Sequence, residues 1–394
     1  MRYNYKLAGN TISNNDIDLL AEWLKTYPPL TMASGGLTKK FEEEWSKKVG
    51  VKYSIFCNSG SSANLLAYSA LLNLHPELKK SFTALCTAGW ATTISPIFQL
   101  GLNPVLIDVD PTTFGMSIDI LEEKLKKREG ILLVVLVSTL GFPPDIYRIM
   151  ELQKKYGFLL FEDACPAVGS KYDNKYIGTF GDVGTFSFYY GHQISTIEGG
   201  MVCTNHESIY EELLMLRSHG WAKDLGNSSR GTLEKTWNVS EHSSLFTFYN
   251  AGYNLRPTEI NSFLGLRQIN ILDKIAKKRH ENFIYYLEKF RDSNLITQKY
   301  PLDGTTVSCI TFPFIAKNKD ISKEVRRKLI ENGIETRPIS GGSLGLQPVW
   351  YMNKKNFFSQ PFANLLHNNG FVLPCHPEIS FDDIDNICNK LFKQ

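Results

Sequence analysis

Four stretches of this chain hold residue types whose chemistry goes beyond packing. Between Gly184 and Gly200 the sequence reads GTFSFYYGHQISTIEGG, a strand-like run through Ser187 with an imidazole, His192, five residues later. Histidine's ordinary pKa of about 6.5 lies near working pH, so His192 suits both taking up and giving back a proton. Asn58 to Asn64 reads NSGSSAN, a small-residue turn between a strand and a helix, where Gly60 and Ser61 offer free backbone N–H groups to a phosphate. The same Ser and Asn residues also suit an ordinary helix cap. Asp163, in Phe161–Cys165 (FEDAC), ends a strand and is either an anionic partner for a ligand cation or the cap of a turn. Trp90, in Thr87–Thr93 (TAGWATT), offers a broad π-face for stacking, or fills a core.

These residues need a scaffold that brings them together. From Val51 to about Met201, β-like runs alternate with helical stretches, the pattern of a mostly parallel α/β sheet covered by helices. The clearest strands are 54–57, 81–86, 103–108, 131–139, 158–162 and 184–188, with helical spacing over 61–74 and 118–128. A helix begins at Ser208, and 258–290 reads as a long, interrupted helical segment. Beyond about Leu295 the pattern shortens to a smaller α+β unit, with a strand-like run at 308–316 and a helix at 323–332. The resulting division is an N-terminal segment (1–50) packed across the small unit, a large α/β domain (51–260), and a connecting helix with a small C-terminal domain (261–394). Open α/β sheets bind ligands at the carboxyl ends of their strands, where several of these motifs fall.

Bulk composition excludes several classes. The 394 residues carry 43 basic and 40 acidic side chains, a net charge of +3 that makes no case for nucleic-acid or membrane-surface binding. No apolar run reaches the length of a membrane span, since Ile131–Val137 is strand-sized, and the first residues lack a hydrophobic signal region. A cytoplasmic protein is expected. Cys57, Cys86, Cys165, Cys203, Cys309, Cys375 and Cys388 are scattered without a Cys-x-x-Cys pair, so reduced thiols and no metal centre are expected.

Taken in order, these motifs resemble the DegT/DnrJ/EryC1/StrS family of sugar aminotransferases, from Leu37–Glu42 (LTKKFE) to Leu373–Pro377 (LPCHP). The resemblance implies a fold-type I enzyme of pyridoxal 5'-phosphate (PLP), with Asp163 on the pyridine nitrogen and Trp90 stacked on the ring. It implies that Gly60, Ser61 and Ser187 contact the phosphate, and that Asn254 reaches it from a neighbouring subunit of an obligatory homodimer. One departure stands out: the family's cofactor-linking lysine is replaced by His192. An imidazole moves protons but does not hold the cofactor covalently.

The swap points to the histidine-bearing sugar 3-dehydratases within this family. Such an enzyme holds PLP and its pyridoxamine form (PMP) noncovalently, takes its amine from L-glutamate, and removes the C3 hydroxyl of a nucleotide-linked 4-keto-6-deoxy sugar. The wording around His192 implies GDP-4-keto-6-deoxy-D-mannose, on a route to the surface-polysaccharide sugar colitose. His219, Arg256 and Arg337 are candidate substrate contacts; packing for His219, and an ordinary surface position for one arginine, remain open. A family aminotransferase with an unusual base, and a noncatalytic PLP-binding relative, are the other readings. Lys171 and Lys175 are the nearest lysines, and neither falls in the strand-end slot.

Overall fold

Successive residues of a strand face opposite sides of a sheet, and the central strands of this chain are apolar on both. In the strand Ile131–Val137, Leu133 and Val135 join one buried cluster while Val134 and Leu136 join another. The same division separates Phe161 from Leu160. Strands of this kind need helices on both faces, so the sheet becomes the middle layer.

The computed structural model describes residues 3–26, 35–127 and 129–392. Its strands in chain order are β1 (Tyr53–Cys57), β2 (Phe82–Cys86), β3 (Asn103–Ile107), β4 (Ile131–Val137), β5 (Leu159–Asp163), a small hairpin of β6 (Lys171–Tyr172) and β7 (Lys175–Tyr176), β8 (Val183–Ser187) and β9 (Gly200–Thr204). Seven of them form the central sheet in the order β1-β9-β8-β5-β4-β2-β3. All run parallel except β9, which is antiparallel to both neighbours. The mostly parallel α/β sheet expected from the sequence is therefore present.

The expected strands form with small shifts at their ends; 131–139 stops at Val137, before a 3-10 turn at Thr139–Gly141. Strand β9 was not expected, because its opening Gly199-Gly200 pair reads as a turn. Gly200 has a specific reason to be glycine: a Cβ there would collide with the Ser59 carbonyl and the Gly60 nitrogen. Strand β9 thus passes directly against the small-residue turn.

The helices Gly60–Leu74, Ile118–Lys126 and Glu207–Arg217 match expectation, while Arg128, at the expected end of the second, lies outside the described residues. The long helical segment divides into Glu259–Gln268 and Leu272–Phe290, joined by a 3-10 turn. The C-terminal sheet is antiparallel, in the order β10 (Leu295–Thr297), β11 (Thr311–Ala316), β12 (Gly370–Pro374). Phe283, Tyr286, Phe290, Phe312, Phe314 and Ile387 fill its own core.

The N-terminal segment divides its contacts. Tyr5 bridges to Ile334, Leu7 N donates to Glu335 Oε2 at 2.8 Å, and His376 Nε2 lies 3.0 Å from Lys6 O, all on the C-terminal unit. The helix Gly36–Val49 instead packs against β1 and the helix Glu259–Gln268, because Phe41 and Trp45 belong to the large-domain core. Residues 27–34 of this segment lie outside the described residues.

Beside the site, Glu162 is buried at the end of β5 and accepts from Gly178 N at 2.8 Å, Phe180 N at 2.6 Å and Gly181 N at 2.7 Å. Glu162→Ala leaves three inward-facing N–H groups without an acceptor, at about 1–3 kcal/mol each. The variant is expected to lose roughly 3 kcal/mol or more in a urea unfolding curve; a loss below about 1 kcal/mol contradicts this anchoring role.

Candidate active site

The turn after β1 is shaped by its cap. Ser59 has extended backbone angles, and its Oγ accepts from Ser62 N at 3.1 Å while its carbonyl accepts from Ala63 N at 2.9 Å. The next two N–H groups, of Gly60 and Ser61, have no acceptor within the helix they open. Gly60 lies hard against Ser187 at the end of β8: a Cβ on Gly60 would sit 2.5 Å from the Ser187 Cβ and 2.7 Å from its Oγ. Gly60, Ser61 and Ser187 therefore form one cradle with small side chains and open donors, which suits a phosphate.

Asp163 ends β5 nearby and is only 3% exposed. Its Oδ2 accepts from Asn64 Nδ2 at 2.9 Å and Thr93 Oγ1 at 2.7 Å, and its Oδ1 from Cys165 N at 3.2 Å. Asn64 is itself oriented by Thr185 Oγ1, 2.7 Å from its Oδ1. Among the described residues no basic side chain pairs with Asp163. A buried carboxylate with donors fixing it and no cation beside it fits the protonated nitrogen of a pyridine ring. Trp90 stands at the N-terminus of the helix Ala91–Gln99, whose first turn supplies Thr93, and leaves 56% of its surface open. This rules out the core position open to Trp90 from sequence.

His192 follows β8 in a loop, its Nδ1 3.3 Å from the Ser187 carbonyl and its ring edge-on to Tyr189 at 6.0 Å. A carbonyl can only accept, so this contact favours the proton on Nδ1, and the Cys165 backbone is a second polar partner of the ring. The ring keeps some open surface yet is crowded by protein. Burial pushes its pKa down to about 4; the Ser187 and Cys165 backbone groups act against the shift, and the Arg279 and Arg337 charges reinforce it. The expectation of an ordinary pKa for His192 is thus corrected: the group is neutral at pH 7, a base rather than an acid, until an anionic ligand changes its surroundings.

The substrate candidates fall in two places. Arg337 is half-buried, desolvation lowers its pKa, and it is one of the two cations felt by His192. His219, Asn254 and Arg256 form a separate cluster: Arg256 Nε donates to Asn254 Oδ1 at 3.0 Å, and its Nη2 lies 3.4 Å from His219 Nε2. That cluster borders the phosphate turn, because Asn58 N donates to Leu255 O at 3.0 Å. Asn254 is exposed and does not hydrogen-bond to the cradle of its own chain. Lys171 and Lys175 sit on the β6–β7 hairpin, over the rings of Tyr176 and Phe180. Neither enters the His192 loop.

Asn64, Thr93, Thr185 and Gln193 were not singled out from the sequence. Only Asn64 offered a signal, as a polar residue one turn into a helix that is otherwise largely apolar. Among the described residues all seven cysteines are unpaired, no cluster of potential metal ligands forms, and no helix is long and apolar enough to cross a membrane.

Comparison with known proteins agrees with this geometry. The model of the DegT/DnrJ/EryC1/StrS aminotransferase family matches residues 11–392. This chain belongs to that family. It is 34% identical over 390 residues to the GDP-4-keto-6-deoxy-D-mannose 3-dehydratase of Escherichia coli O55:H7, covering 97% of this chain and 98% of the relative. A solved structure of the Escherichia coli 3-dehydratase with bound hydrated PLP superposes with a TM-score of 0.88 at 31% identity, covering 99% of this chain and 100% of that one. Another GDP-4-keto-6-deoxymannose 3-dehydratase, with a trapped PLP–glutamate geminal diamine, gives 0.85 at 30% identity, covering 98% and 100%. The fold is therefore the PLP-dependent aminotransferase fold.

The depressed basicity of His192 is directly measurable. In the cofactor-free protein its ring should titrate near pH 4 by NMR. Because the unfolded chain binds this proton at about pH 6.5, the His192 contribution to stability is complete above that value and is lost as pH falls towards 4. A His192→Asn variant should lose that part of the pH dependence; a ring midpoint at or above 6.5 contradicts the assignment.

Proposed function

We propose that this chain is a PLP/PMP-dependent 3-dehydratase of a nucleotide-linked 4-keto-6-deoxy sugar, converting GDP-4-keto-6-deoxy-D-mannose to GDP-4-keto-3,6-dideoxy-D-mannose with L-glutamate as amine donor. The observation that carries this reading is His192 itself. A neutral imidazole stands beyond β8 beside the phosphate cradle and the Asp163 turn, with no lysine in its loop. Similarity to the dehydratases over nearly the whole chain supports it, and the glutamate trapped in one of their structures supports the donor.

The residues divide the work by position. Gly60, Ser61 and Ser187 hold the cofactor phosphate, Asp163 keeps the pyridine nitrogen protonated, and Trp90 covers the ring face. When bound, the cofactor supplies an electron sink for the pair left behind as a proton departs. His192 takes up a proton on its imidazole and returns it to the C3 hydroxyl, which leaves as water. Arg337, Arg256 and His219 bind the anionic parts of glutamate and the sugar nucleotide. Asn254, exposed and not hydrogen-bonded to the cradle of its own chain, serves the phosphate of a second copy, so the working form is a homodimer. Seven dispersed thiols suit a reducing compartment, and we place the protein in the cytoplasm.

Three measurements test this reading. Incubation with PLP, glutamate and GDP-4-keto-6-deoxymannose should yield a sugar nucleotide lighter by the C3 oxygen, its ketone intact, with ammonia released; an amino sugar as product overturns the dehydratase. His192→Lys should abolish deoxygenation and let borohydride fix the cofactor to the protein, whereas full dehydratase activity in that variant refutes the role of His192. Gly60→Ala places a methyl group 2.5 Å from the Ser187 Cβ and should weaken PLP retention about tenfold or more in equilibrium dialysis, consistent with a cost of about 1.4 kcal/mol. Unchanged retention removes Gly60 from the phosphate site.

A further inference from the structure

A contact of 3.3 Å to Ser187 O is too long to fix the His192 ring by itself. The next residue is held far more firmly. Gln193 is fully buried, and its Nε2 donates to Pro166 O at 3.0 Å and to Ser308 O at 2.6 Å. Pro166 lies on the turn that follows Asp163, and Ser308 lies in the segment that enters β11.

That segment has little freedom. Its next two carbonyls, of Cys309 and Ile310, accept from Arg279 Nη1 at 2.9 and 3.0 Å. Ser308 N donates to Ser170 Oγ at 3.0 Å, Ser170 Oγ donates to Gly141 O at 2.7 Å, and Ile310 N donates to Leu140 O at 3.1 Å. Gly141 has φ +100°, and a Cβ there would meet the Ser308 carbonyl at 2.5 Å. Gln193 therefore grips a rigid support.

We propose that Gln193 is a positioning residue for His192: its amide clamps the His192 loop between the Asp163 turn and residues 308–310, and so sets where the imidazole sits. The proposal rests on the acid/base reading of His192, but the clamp itself is measurable without turnover. An amide nitrogen is what the position requires, since both of its hydrogens are used on two carbonyls that only accept. Arg279 has no carboxylate partner among the described residues, so its charge is felt in the surroundings of the loop. The groups facing His192 are Arg279 from the helix Leu272–Phe290, Arg337 from the C-terminal unit, Cys165 from the Asp163 turn and Tyr189 from its own loop. None of these four is a carboxylate. A ring released from this position leaves two cations and gains water, so its titration reports its placement.

The test uses the full-length protein with Gln193→Met, which keeps the size and removes both donors. In the cofactor-free form, the His192 midpoint should rise by about one pH unit or more towards the ordinary value. In the loaded enzyme, kcat should fall about a hundredfold, the loss expected from displacing a catalytic group by about 1 Å, with KM and PLP affinity within about threefold. Gln193→Glu, protonated when buried, keeps one donor and should fall between the two; it carries the test if the Met variant does not fold. An unmoved midpoint with kcat within twofold overturns the clamp, as does a lowered melting temperature with an unmoved midpoint. If the wild type shows no deoxygenation and the midpoint still rises in Gln193→Met, the clamp stands and the assigned role of His192 fails.

Discussion

The Asp163 carboxylate sits at the end of β5 almost cut off from solvent, where an ionised group persists only if donors replace its water. Two helices bring two of them, and the Cys165 N–H after β5 is the third. Asn64 comes from Gly60–Leu74, whose N-terminus is the phosphate turn, and Thr93 from Ala91–Gln99, whose N-terminus is Trp90. Satisfying one buried anion thereby fixes the separation of the cradle, the aromatic face and the carboxylate. Thr185 extends the network to β8, and so to Ser187 two residues later.

The same crowding acts in opposite ways on an anion and a potential cation. Asp163 receives donors, whereas His192 is desolvated, meets the Ser187 and Cys165 backbone and feels the Arg279 and Arg337 charges. Neutral imidazole is the outcome. An anionic ligand entering the cradle favours the imidazolium, so ligand binding and the protonation of His192 are linked. A lysine at this point would bring a long, flexible amine; histidine brings a short planar ring.

That loop connects the two sheets. Its Gln193 reaches the segment before β11, while the N-terminal strap and His376 tie the C-terminal unit back to the first residues of the chain. The C-terminal unit, with a core of its own, is thus tied to the His192 loop through Gln193 and brings the Arg337 charge within reach of His192.

Local residue order determined much of this protein. Doubly apolar runs such as Ile131–Val137 specify buried parallel strands and Ser59 specifies a helix start, because each acts through its immediate neighbours, and the family resemblance marked His192 as standing in a lysine's slot. Strand β9 was hidden by glycines that read as a turn until the Ser59 turn is seen against Gly200. Asn64, Thr93 and Gln193 were hidden because a polar side chain looks the same in sequence whether it meets water or a partner; theirs lie 99, 70 and 115 residues away. The basicity of His192 was hidden for the same reason, since desolvation and the reach of Arg279 and Arg337 exist only after folding. Sequence named the groups that could react, and tertiary structure decided their protonation and their positions, because both depend on contacts between residues far apart in the chain.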